Sequence, residues 1–70
     1  MSMNSEFLRL FHEARKASEL TGRPIYLVHW QGQILRSIRK PRVPGCEVLL
    51  AVAPWTRLED LPERVLSLAS

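Results

Sequence analysis

Few side chains in this sequence are able to do covalent or acid–base chemistry: His12, His29, Cys46 and an acidic trio, Glu59, Asp60 and Glu63. A zinc or nucleophilic centre draws its groups from recognisable spacings, such as paired cysteines or histidines one helical turn apart. Here the two histidines and the cysteine fall on three separate predicted elements with no such spacing. A Cys46–His29 pair would meet only if the strand after Cys46 lay beside the one carrying His29, and it would still lack an orienting third group and an oxyanion loop. Helix capping and the field at a helix N-terminus already account for the acidic trio. Gly22, Gly32 and Gly45 stand alone, so neither a dinucleotide fingerprint nor a P-loop can be drawn. The chain is expected to be no enzyme, with no catalytic residue, no metal, no cofactor and no small-molecule substrate.

What remains is charge beside aromatic surface. Residues 23–42 carry Arg23, Arg36, Arg39, Lys40 and Arg42 with no acid, whereas residues 1–22 balance to zero and residues 43–70 sum to −2. The whole excess behind the net charge of +3 therefore lies in the middle of the chain. Cations so placed neutralise phosphates, and Tyr26 and Trp30 offer rings on which unpaired bases stack. The same residues have a plainer use: cations and prolines keep an edge strand from pairing with another chain, and the two rings bury against a helix or a second subunit.

Those residues must be held by one small domain, 1–70, because 70 residues bury only about 60% of their unfolded surface and leave no material for a second core. Apolar residues at 46% and charged residues at 24% lie in the range of chains that fold. No internal repeat is visible. The longest apolar run, "VLLAVAPW", is far short of a bilayer span, and "MSMNSEFLRLF" lacks the basic start and long apolar stretch of a secretory signal. With a lone cysteine, Cys46, that reads as a core filler, the expectation is a cytoplasmic protein without membrane contact.

The first element is a helix over residues 5–21, with Asn4 or Ser5 as N-cap, Gly22 as the left-handed stop and Pro24 beyond it. Phe7, Leu10, Phe11, Ala14, Ala17, Ser18 and Thr21 share one stripe, and Glu6, Arg9, Glu13 and Lys16 lie opposite, where Arg9–Glu13 and Arg15–Glu19, four apart, and Glu6–Arg9 and Glu13–Lys16, three apart, are spaced to pair. "PIYLVHWQGQILRSIRK" then changes period, and Gln31-Gly32 predicts a two-residue hairpin turn between strands 24–30 and 33–40. That register puts Tyr26, Val28, Trp30 and Leu35 on one face and Ile25, Leu27, His29, Ile34, Arg36 and Ile38 on the other.

Prolines make 41–45 a loop. A third strand follows over 46–53, apolar at nearly every position and so expected to be covered on both faces, either in the middle of the sheet or at an oligomer contact. The sequence ends in a turn at 56–59 and a helix at about 60–69, with Pro62 in its first turn and Leu61, Val65 and Leu68 facing inward. Trp55 is expected to pin the chain as it enters that helix, although Trp and Arg together, as in "APWTRL", are also favoured interface anchors.

The result is an α+β fold in α-β-β-β-α order, a three-stranded antiparallel sheet packed on helices. In element order alone it resembles small double-stranded-RNA-binding-like folds; no residue motif of such a family can be matched, so no residue role follows from the likeness. Two short helices are too little to cover a sheet that is apolar front and back, and a large exposed apolar patch marks an interaction site. The leading expectation is a homodimeric, regulatory or adaptor module that binds a partner protein through an aromatic and basic hairpin. Tyr26 and Trp30 serve as anchors, with Arg36, Arg39, Lys40 and Arg42 as rim charges. The alternative is a nucleic-acid-binding protein using the same hairpin.

Overall fold

A computed structural model describes residues 4–70. It contains helix α1 (Ser5–Thr21), strands β1 (Ile25–Trp30), β2 (Gln33–Ser37) and β3 (Glu47–Val52), a single 3-10 turn (Leu58–Asp60) and helix α2 (Glu63–Ala69). This is the small compact α+β domain expected from the sequence, with one antiparallel sheet.

Local chemistry explains the first half of the chain. The Asn4 side chain accepts a hydrogen bond from the Glu6 N–H at 2.7 Å and so caps α1. Gly22, at φ 71°, ends the helix with its N–H donating to the Ser18 carbonyl. Gln31 and Gly32 both take positive φ, 50° and 74°, the geometry of a two-residue turn whose twist matches that of the strands it joins. The β1–β2 register is the one read from the turn: Trp30 faces Gln33, Val28 faces Leu35 and Tyr26 faces Ser37.

Both helices lie on the same side of the sheet. The core between them holds Phe7, Phe11 and Ala14 of α1, Ile25, Leu27 and Val52 of the sheet, and Leu61, Val65 and Ala69 at the C-terminal end. Ser18 belongs to the buried stripe of α1, yet its hydroxyl has no hydrogen-bond partner. A buried, unpaired hydroxyl costs about 1–3 kcal/mol of desolvation. Ser18→Ala is therefore expected to stabilise the fold by about 1 kcal/mol and to raise Tm by roughly 4–8 °C. A calorimetric Tm at or below that of the parent chain would show that the hydroxyl is satisfied after all.

Four expectations are corrected. The second strand stops at Ser37 rather than residue 40, because the Ser37 hydroxyl donates to the Arg39 carbonyl and turns the chain, leaving Ile38 73% exposed. The third strand is not central: the strand order is β2-β1-β3, so β3 is an edge, and within the chain its outer residues Val48 and Ala51 are half-buried and exposed, respectively. Its unbroken apolar run has a different cause. Leu27 pairs with Leu50 and Val28 with Val48, so Leu49 is the extra residue of a bulge, and Leu49 and Leu50 both pack against the core.

The last helix starts at Glu63, with Pro62 outside it as N-cap; the residues before it form the 3-10 turn, where Asp60 pairs with Arg57. Leu61 and Val65 are buried as expected, joined by Ala69, and Leu68 is half-buried. Finally, Trp55 pins nothing: it sits in the turn after β3, 80% exposed.

One ion pair ties α2 to the sheet. Arg64 donates from Nε to Glu47 Oε2 at 2.6 Å and from Nη2 to Oε1 at 2.5 Å. The hydrogen bond from Arg64, aided by its charge, holds the Glu47 carboxyl below its ordinary value of 4.5, and the same contact raises Arg64. A carboxyl whose pKa is lowered by folding adds stability above its unfolded value and loses that contribution as pH falls through the folded one. Glu47→Gln is accordingly expected to lower Tm slightly at neutral pH and to match the parent chain well below pH 4.5. A gap of the same size across that whole range would rule out the carboxylate as its source.

Candidate interaction surface

The face of the sheet away from the helices is built from alternate residues of each strand: Tyr26, Val28 and Trp30 of β1, Gln33, Leu35 and Ser37 of β2, and Val48 and Ala51 of β3. Among the described residues no helix packs there. Because β1 is the middle strand, the link from β2 to β3 must cross it, and residues 38–46 do so over this outer face. Pro41, Val43 and Cys46 of the link face Val28, Trp30 and Leu35 across a groove of about 240 Å³. The link roofs Val28, which is 4% exposed, but leaves Trp30 at 36%, Leu35 at 37% and Val43 at 53%. The sheet's apolar surplus is thus only partly covered by the chain itself.

Of the six side chains singled out from the sequence, five belong to this side. Tyr26, half-buried, and Trp30 are on the outer face, and Arg39, Lys40 and Arg42 are exposed on the link that crosses it. None of the three cations lies within 4.0 Å of an acid among the described residues, whereas Arg9, Arg36, Arg57 and Arg64 all do. Arg36 does not join them. It borders the groove from β2, but its guanidinium reaches to the helix side and meets Glu13 of α1 at 3.4 Å. That contact takes the place of the Arg9–Glu13 pair expected within the helix, while the Glu6–Arg9 pair, also expected, is present at 3.9 Å.

Leu35, Pro41, Val43 and Cys46 were not singled out as part of a site. For Leu35 the hairpin register already assigned the face. For Val43 the signal was an apolar residue held between two prolines in "PRVPG", a segment stiff enough to lie flat across a sheet.

The groups with chemical potential stay apart. Cys46 lines the outer groove, while His29 lines a wider hollow of about 660 Å³ on the helix side, between the start of α1, the hairpin tip and Leu68. The two therefore line different cavities on opposite sides of the sheet. His12 is exposed on α1, its ring edge-on to Phe11 at 5.8 Å. Among the described residues no three His, Cys, Asp or Glu side chains gather to hold a metal, and no helix is long and apolar enough to cross a membrane.

The outer face can therefore offer apolar contact, an indole ring and three free positive charges. No protein-family model, curated protein or solved structure matches the chain.

Proposed function

We propose that this protein is a non-enzymatic cytoplasmic docking module that binds a partner protein through the outer face of its sheet. The observation that carries this reading is the packing of both helices on one side, with only a nine-residue link over the other and Trp30, Leu35 and Val43 left open beside it. Aromatic and apolar side chains ringed by cations are the usual make-up of a binding hot spot with a polar rim. The cytoplasmic part rests on the lone, half-buried Cys46, since a small domain built for an oxidising compartment generally carries paired cysteines.

The test is capture from a cell lysate by the parent chain and by Leu35→Asp, each with and without nuclease. A protein retained by the parent chain, lost with Leu35→Asp and indifferent to nuclease is the expected result. Retention that is the same for both chains would remove the outer face from the reading.

Arg39, Lys40 and Arg42, free of acid partners, keep a second reading in view, in which the same face binds nucleic acid. Phosphate contacts make affinity fall steeply with salt, by a slope set by the number of phosphates neutralised. Binding of mixed-sequence DNA or RNA with such a slope would favour that reading, and no binding at low salt would dismiss it.

A homodimer through this face is the weaker form of the proposal. A twofold contact sets each patch against its own copy, which would bring the cationic links of both subunits into one interface. Sedimentation of the chain alone measures this directly, and a monomer is the outcome the charges favour.

A further inference from the structure

Every acid of the chain lies away from the outer face. Glu6, Glu13 and Glu19 are on α1; Glu59 and Asp60 are in the 3-10 turn and Glu63 begins α2; Glu47 opens β3 but turns to the helix side, where Arg64 holds it. Between Glu19 and Glu47 there is no acid at all, and that interval contains both strands of the hairpin and the whole link. Arg39, Lys40 and Arg42 thus stand beside a face that, among the described residues, carries no acid.

We infer that the occupant of this face is an acidic stretch of a partner polypeptide, with one apolar side chain seated in the groove between Val28, Leu35 and Val43 and flanking Asp or Glu residues set against Arg39, Lys40 and Arg42. The inference rests on the docking role proposed above and adds the chemistry of the partner. Charge complementarity of this kind steers association and rejects partners of the wrong sign. The walls of the groove are mainly aliphatic: Val28, Leu35, Pro41 and Val43, with Trp30 as the one large ring at its margin. Nucleic acid calls for something else, a row of open rings on which bases stack, and Tyr26 is half-buried. A second copy of this chain is also a poor fit. Its own acids belong to the helix side, so it would have to dock helix side to outer face, a head-to-tail contact that closes only as a ring and otherwise runs on as a filament.

The experiment is selection of random dodecapeptides displayed on phage against the full chain, with fluorescence anisotropy on the peptides recovered. Peptides that pair a large apolar residue with neighbouring Asp or Glu are expected. Their affinity should fall about tenfold or more with the double change Arg39→Glu and Arg42→Glu, and fall also with Leu35→Ala. Both cations are exposed and unpaired, so Tm should hold in the double variant; a variant that loses its Tm is replaced by Arg39→Gln with Arg42→Gln. Recovery of neutral or basic peptides that still depend on Leu35 would overturn the acidic partner and leave the docking face standing. No enrichment of any peptide, or tight retention of mixed-sequence single-stranded DNA in place of peptides, would overturn both.

Discussion

Phe11→Ala is expected to take away a large share of the chain's folding stability and to lower its urea midpoint sharply. Phe11 is one of two phenylalanines in the core and is fully buried, placed midway along α1 with the Phe7 ring stacked near it, centroids 6.4 Å apart. Replacing a buried phenylalanine by alanine costs about 3–5 kcal/mol, because the transfer energy of the ring is lost and the surrounding side chains close the hole only in part. A chain of 70 residues has about 3.5–10 kcal/mol to lose. The neighbours that would have to close this hole sit on three strands joined by ladder hydrogen bonds and on a helix of only seven residues, so collapse is restricted. Urea unfolding followed by circular dichroism measures the cost. A midpoint close to that of the parent chain would mean that the core is centred elsewhere.

The second large effect is on binding rather than folding. Trp30→Ala removes the ring at the margin of the outer groove, and loss of a tryptophan hot spot costs about 2–4 kcal/mol of affinity, roughly 30- to 1,000-fold in Kd. Trp30 is one-third exposed and stands outside the buried cluster that holds the fold together, so its folding cost is expected to stay near 1 kcal/mol. The two variants therefore separate the two faces of the sheet: Phe11→Ala lowers stability and weakens binding only as far as it unfolds the chain, and Trp30→Ala keeps the fold and loses the partner. Affinity for the selected peptides, measured beside Tm in the same buffer, gives both quantities. Unchanged affinity in a folded Trp30→Ala chain would remove the indole from the interface and shift the anchor to Leu35 and Val43.

The candidate site is half legible in the sequence. Tyr26 and Trp30 were placed on one face by the hairpin register, and the acid-free interval that carries Arg39, Lys40 and Arg42 is visible in the sequence itself. Arg36 is close to them in sequence, but the hairpin register sets it on the opposite face, beside Leu27, where it meets Glu13. The roof over Val28 was invisible, since a loop of prolines, cations and one valine has no period from which to tell where it lies.

What the residues dictate unaided here is local: where α1 begins and ends, how the Gln31-Gly32 turn sets five cross-strand pairs, which side of the hairpin is greasy, and where the positive charge gathers. Each follows from groups within a few positions of one another, through a cap, a positive φ or the two-residue repeat of a strand, so no distant contact is needed to specify it. The place of β3 at the edge, its bulge at Leu49, the crossing of residues 38–46 over the outer face and the gathering of both helices on the other side arise only in the assembled molecule. They depend on which distant surfaces bury the most apolar area together, and that is a property of the whole chain rather than of any stretch of it.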